Sequence, residues 1–264
     1  MTAATITVHV DVHGEPTADP PLVLLHAFPL DSSMWRPVLP ALRGVAQVLT
    51  VDLPGFGASP APQGEPSLDA VADAVLVAAA ARGHDRVVLA GCSIGGYVAL
   101  AAARRAPARV AGLGLVDTKA EADGDDARAN RERIAQAVLG EAGSRALLPM
   151  LDSLLGPTTR TERPDVVHAV SALVRGADPA AVAWAQRAMA ARSASTDLLA
   201  SIGVPAAVVV GDEDAVTGPD LARAMAAALP DAVLTVVPRA GHLSPLERPE
   251  PVAAALASLM VRVR

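Results

Sequence analysis

Short apolar runs and helical stretches alternate along both ends of the chain. Residues 5–12 alternate polar and apolar positions, as a strand with one covered face does. Residues 22–26 and 45–51 are continuously apolar, the pattern of strands buried on both faces. Each runs into a loop rich in Gly and Pro, residues 27–33 and 53–66. Ser67 stands where a helix needs its N-cap, and Asp69 falls in the first turn. The spacing predicts a helix from there to about Arg82, ended by Gly83. Residues 86–90 read as the next buried strand, followed by a turn over residues 91–95 and a helix stopped by Pro107. Residues 110–116 are a further strand.

The alternation then stops. Residues 118–201 contain no strand pattern, and helical patterns occupy residues 126–139, 144–155, 163–175 and 179–191. Strand and helix return at residues 206–210, 219–229, 233–237 and 249–262. The expected architecture is an α/β core with a parallel sheet, built from residues 1–117 and 202–264 and interrupted by a helical cap over residues 118–201.

Composition narrows the function. The chain has 264 residues, 52% of them apolar, enough for one sizeable core. Aromatics are only 2%, so any pocket is mostly aliphatic. The net charge of −6 and the lack of a basic run argue against a nucleic-acid partner. Cys92 is the only cysteine, so no internal disulfide forms. Residues 1–11 do not resemble a leader peptide, and no apolar run reaches the roughly 18 residues of a membrane span. A cytoplasmic protein, monomer or homodimer, is expected. No His-x-x-x-His or Cys-x-x-Cys pair suggests a metal, and no cofactor is implied.

The chemistry centres on Gly91-Cys92-Ser93-Ile94-Gly95. A G-x-S-x-G element between a strand and a helix holds its serine at a tight turn. The glycines let neighbouring backbone pass, and the next N–H, that of Ile94, points toward a developing oxyanion. Cys92 lies off the symmetry of the two glycines and reads as a small apolar filler. A serine nucleophile needs a general base. Six histidines compete: His9, His13, His26, His84, His168 and His242. His242 follows the last strand, where loops leave the C-terminal edge at which such sheets collect their chemistry. The base needs a carboxylate partner. Asp117, Asp212 and Asp214 all lie between nucleophile and base in the chain.

These motifs together carry a resemblance. His26-Ala27-Phe28-Pro29, Asp52-Leu53-Pro54-Gly55-Phe56-Gly57-Ala58-Ser59, Gly91 to Gly96, Gly211-Asp212-Glu213-Asp214 and Gly241-His242 resemble the α/β-hydrolase superfamily. The likeness is strongest to its small esterases and lactonases of the 3-oxoadipate enol-lactonase-like group. The resemblance implies the α/β-hydrolase fold, a mostly parallel sheet of about eight strands flanked by helices. It implies Asp214 as the triad acid, three residues after the glycine ending its strand, ahead of Asp212 and Asp117. It implies the amide of Phe28 as the second oxyanion donor beside that of Ile94. Where the family motif usually has His-Gly-x-Pro, this chain has Ala27. The implied activity is hydrolysis of a small ester or lactone by Ser93, His242 and Asp214 through an acyl-enzyme, without cofactor. A perhydrolase or C–C bond hydrolase of the same fold, or a catalytically weak ligand-binding protein, are the alternatives. Expected cap residues around the acyl substrate are Leu147, Met150, Leu151, Leu154, Trp184 and Met189. Arg128, Arg131, Arg133, Arg160, Arg163 and Arg187 are cap cations of which one could receive a substrate carboxylate.

Overall fold

A computed structural model describes residues 6–264. Thr5, where the first strand was expected to begin, and the Met1–Thr5 part of the leader reading lie outside the described residues. The strands are β1 (His9–His13), β2 (Leu22–Leu25), β3 (Val48–Asp52), β4 (Val87–Cys92), β5 (Val110–Val116), β6 (Ala206–Gly211) and β7 (Ala232–Val237). They form one sheet in the order β1-β3-β2-β4-β5-β6-β7. Only β1 runs antiparallel to its neighbour. The sheet therefore has seven strands among the described residues rather than about eight. Each of the seven apolar runs supplies one strand, and Ile6 to Val8 ahead of β1 stay irregular. Every residue of β2 through β6 is buried, which requires a layer on each face. The edge strands β1 and β7 are only partly covered.

One turn, α1 (Leu39–Leu42), precedes β3. The next helix, α2 (Leu68–Ala80), begins where Ser67 Oγ accepts from the Ala70 amide at 3.2 Å. α3 (Ile94–Arg105) packs on β2, β4 and β5, with α2 beside it.

Between β5 and β6 the described chain has helices joined by loops and no strand: α4 (Asp125–Val138), α5 (Leu151–Leu154), α6 (Pro157–Glu162), α7 (Pro164–Gly176), α8 (Pro179–Ala191) and α9 (Thr196–Leu199). Proline opens α6, α7 and α8, where its missing N–H costs no helical bond. The single helix expected over residues 144–155 is instead a 3-10 segment, Gly143–Met150, followed by α5. Pro149 inside that segment cannot donate to an i−4 carbonyl, so the regular ladder fails there. α4 lies against α8, with Glu132 and Arg187 paired at 2.8 Å across them.

After β6 come α10 (Pro219–Ala228), α11 (Ser244–Glu247) and α12 (Pro249–Val263). α12 packs on β5, β6 and β7 and also meets α1. Of the described helices, no single one is long and apolar enough to cross a membrane.

Candidate active site

Ser93 sits between β4 and α3 with φ 53° and ψ −113°. That conformation is strained for any side-chain-bearing residue. Its surroundings hold it there. Ser93 N–H donates to the Val116 carbonyl at 3.0 Å, and its own carbonyl accepts from Thr118 Oγ1 at 2.8 Å and Gly96 N–H at 2.9 Å. A Cβ on Gly91 would lie 2.0 Å from the Gly95 carbonyl carbon, so glycine is compulsory where strand and helix cross.

The loop after β7 brings His242 to this turn. Its Nε2 lies 2.9 Å from Ser93 Oγ. Its Nδ1 lies 3.0 and 3.1 Å from the two carboxylate oxygens of Asp214. Asp214 is fixed in turn by its own loop, accepting from the amides of Val216 at 2.7 Å and Thr217 at 3.0 Å and from Thr217 Oγ1 at 2.7 Å. With Nδ1–H donated to the carboxylate, the lone pair of Nε2 faces the serine hydroxyl. Burial alone would lower the His242 pKa; the charge and hydrogen bond of Asp214, with the charges of Asp117 and Glu247, together hold it above its ordinary value. Burial likewise opposes ionisation of Asp214, but His242 and the Thr217 donors win and hold it below the usual carboxylate range.

The other carboxylates stand elsewhere. Asp212 is exposed and accepts the Arg239 amide at 2.6 Å, bracing a turn in which Arg239 has φ 60°. Asp117 is fully buried and does not touch His242's ring, taking the Gly211 amide at 2.9 Å and the Ser244 amide and hydroxyl at 3.0 and 2.6 Å. Burial, then the charge of Asp214, push its pKa up to about 8. Cys92 is also fully buried, and burial pushes its thiol well up, as expected of a filler rather than a nucleophile.

His26 is a brace for the first loop. Its Nδ1 donates to the Ala27 carbonyl at 2.9 Å and its Nε2 accepts the Leu53 amide at 2.8 Å, with burial keeping the ring neutral. His9 pairs with Asp11, and His13 with Thr50. Neither they nor His84 nor His168 line the cavity above Ser93. Ala27 is buried and is not among the positive-φ residues, so alanine in place of the usual glycine fits without strain. The amides of Phe28 and Ile94 donate no hydrogen bond to protein groups among the described residues.

A cavity of about 200 Å³ opens above Ser93 and His242. Phe28, Tyr97 and Val216 border it from the core. Ala127, Asn130, Arg131 and Ile134 of α4, Met150, Ser153 and Leu154, and Gln186 and Met189 of α8 enclose it from the helical segment. Of the expected wall residues, Met150, Leu154 and Met189 reach the cavity. Leu147 is packed in the core, Leu151 does not line it, and the Trp184 indole N–H donates to the Gly64 carbonyl at 3.1 Å. Of the expected arginines only Arg131 lines it; Arg128, Arg160, Arg163 and Arg187 are bound to Asp125, Asp152, Asp165 and Glu132, and Arg133 to Asn130. Tyr97, Asn130, Gln186 and Val216 had no local signal in the sequence.

A second buried carboxylate ties the His242 loop to the helical segment. Glu247 accepts the amides of Gly156 at 2.9 Å, Gly241 at 3.0 Å and Leu243 at 3.1 Å. The His242 amide donates to the Leu154 carbonyl at 3.1 Å, and Thr158 N–H to Glu213 at 2.9 Å. The two loops touch so closely that a Cβ on Gly241 would lie 2.2 Å from the Gly156 nitrogen. Among the described residues no group of three His, Cys, Asp or Glu side chains is arranged to hold a metal.

Comparison with known proteins gives a consistent picture. A family model described as alpha/beta hydrolase fold matches residues 20–249. The pimeloyl-(acyl-carrier protein) methyl ester esterase of Chromobacterium violaceum is 34% identical over 242 residues, 84% of this chain and 87% of that protein. Several other curated relatives are matched over only about two fifths (39%) of their own length. A thermophilic esterase from Thermogutta terrifontis, solved with malate bound, superposes with TM-score 0.92 at 36% identity, covering 97% of this chain and 93% of that one. The enol-lactonase from Burkholderia xenovorans LB400 superposes with TM-score 0.88 at 25% identity, covering 98% and 99%.

Proposed function

This chain belongs to the α/β-hydrolase fold family, and from that premise we propose that it is a serine hydrolase cleaving a small carboxylic ester or lactone through an acyl-enzyme. The observation that carries the reading is the run of hydrogen bonds from Ser93 Oγ through His242 to Asp214 at the floor of a cavity. The esterase and lactonase activities named for the relatives support it.

In this reading His242 removes the Ser93 proton as Oγ attacks the acyl carbon. Asp214 holds the imidazole in the tautomer that accepts this proton and stabilises the imidazolium that forms. The unengaged amides of Phe28 and Ile94 receive the tetrahedral oxyanion, an effect worth about 3–4 kcal/mol per donor in comparable enzymes. His242 then protonates the leaving oxygen, and the same base activates water to release the acid. Residues 118–201 act as the cap that closes the site. A cavity of about 200 Å³ is smaller than the roughly 300–1,000 Å³ of ordinary ligand clefts, which favours a short acyl or alcohol group.

The test is hydrolysis of p-nitrophenyl acetate together with labelling by a fluorophosphonate. Wild-type turnover and labelling, both lost in Ser93→Ala, are expected. A folded wild type that does neither overturns the reading.

A further inference from the structure

The cavity above Ser93 has one fixed charge on its wall. Arg131 of α4 is the only lining residue that is always charged, and no carboxylate lines the space with it. Its guanidinium is held from behind. Nε donates to Asp123, and Nη1 donates to Gln186 Oε1 at 3.1 Å and to Met189 Sδ at 3.3 Å. Nη2 donates to no protein group among the described residues.

Asp123 does not belong to Arg131 alone. The same buried carboxylate takes Arg192 Nη2 at 2.9 Å and lies 3.5 Å from Lys119 Nζ. Three cations share this one carboxylate, so Arg131 does not have its charge to itself. Arg192 adds to this from beneath the cavity, its guanidinium carbon 4.0 Å from the ring centre of Tyr97, itself a wall residue. A guanidinium that is partly withdrawn from water and only fractionally neutralised is stabilised by an arriving anion.

We propose that the substrate carries a free carboxylate beyond its scissile acyl group, and that Arg131 receives it through Nη2. The inference rests on the serine-hydrolase reading and names the substrate class of that site. Arg131 is a specificity residue: it binds the far end of the substrate and takes no part in bond making. Asp123 and Gln186 fix the guanidinium plane before the ligand arrives, so little side-chain freedom is lost on binding.

The experiment compares monoethyl esters of succinic, glutaric and adipic acids with the corresponding ethyl ester monoamides. Each pair has nearly one shape and differs by one charge. At the best-fitting length the wild type is expected to prefer the acid at least tenfold in kcat/KM, mostly through KM. Raising sodium chloride from about 0.05 to 0.5 M is expected to raise KM for the acid and leave the amide unmoved. In Arg131→Gln the acid-to-amide ratio falls toward one, and Arg131→Lys restores part of it. The ratio cancels any general loss from disturbing the α4–α8 contact. Should Arg131→Gln not fold, the wild-type ratio and its salt dependence decide alone. Equal use of acid and amide at every length overturns the proposal, as does a preference that survives Arg131→Gln. Failure to hydrolyse any of these esters or p-nitrophenyl acetate counts instead against the serine-hydrolase reading.

Discussion

Nε2 of His242 stands 2.9 Å from Oγ of Ser93 across 149 positions of chain, and both residues are held by their backbones rather than by each other. Ser93 is clamped between the Val116 carbonyl and the Thr118 hydroxyl, and His242 hangs from the Leu154 carbonyl. The pair is therefore preassembled before a substrate arrives.

The clamp on Ser93 has a measurable cost. A side-chain-bearing residue at φ 53° stores of the order of 1–3 kcal/mol. Ser93→Gly and Ser93→Ala both remove the hydroxyl, but only glycine relieves the backbone. Urea denaturation should find Ser93→Gly about 1 kcal/mol more stable than Ser93→Ala, with both inactive. Equal stabilities would show that the turn is unstrained.

Replacing the carboxylates one at a time should separate their roles. Asp214→Asn leaves His242 without the acceptor that sets its tautomer, and kcat should fall about 10³–10⁴-fold. Asp117→Asn and Asp212→Asn should each stay within about tenfold of wild type, because neither carboxylate touches the imidazole. A larger loss in Asp117→Asn than in Asp214→Asn would reverse the assignment of the acid.

The rate should depend on pH through His242. In the proposed mechanism His242 must be neutral, and although burial lowers its pKa, the charge and hydrogen bond of Asp214, with the charges of Asp117 and Glu247, hold it above 6.5. The acid limb of kcat/KM against pH is thus expected above pH 6.5. Asp214→Asn removes the largest of the raising influences and should carry the residual activity's limb to lower pH. A limb that stays in place would mean that another group titrates.

Asp117 should appear in stability rather than rate. Its folded pKa of about 8 lies above the roughly 3.9 of an unfolded aspartate, so the fold favours the protonated form. That contribution is fully present below about pH 3.9 and is lost as pH rises toward 8. Asp117→Asn has no such proton to lose. Its unfolding free energy should change less between pH 5 and 8 than that of wild type, and parallel curves would refute the raised pKa.

Glu247 offers a test of the seam between the His242 loop and the helical segment. Glu247→Ala strands three buried amides, each costing about 1–3 kcal/mol. A loss of at least about 3 kcal/mol in denaturation is expected, with a fall in kcat larger than any rise in KM. A loss below about 1 kcal/mol would mean that water replaces the carboxylate.

The elements around Ser93 were legible in the sequence because they are local. Residues 110–116 and 179–191 were read to the residue, since apolar runs and an N1 proline mark them directly. The sheet count missed because the eighth strand came from resemblance and no apolar run backed it. Asp117, Asp212 and Asp214 could not be separated from residues alone, because the choice depends on where three loops turn at one sheet edge. The cavity wall was least legible. Met150 and Leu147 lie three residues apart with nothing in the local pattern to part them, yet Met150 lines the cavity while Leu147 is packed in the core. Arg131 differs from its neighbours only by the direction that α4 gives it against α8.

The shared carboxylate of Glu247 also sets how this scaffold can be rebuilt. Leu154 and Gly156 are part of the support for His242, although they belong to the helical segment by position in the chain. A graft that exchanges α4 or α8 leaves that support alone and changes only the walls facing the ligand. One that runs through Leu154 and Gly156 replaces the mounting of His242 along with the walls of the cavity. Selectivity and chemical power are thus separable on one side of this short stretch and inseparable on the other, and chimeras cut inside it should lose both together.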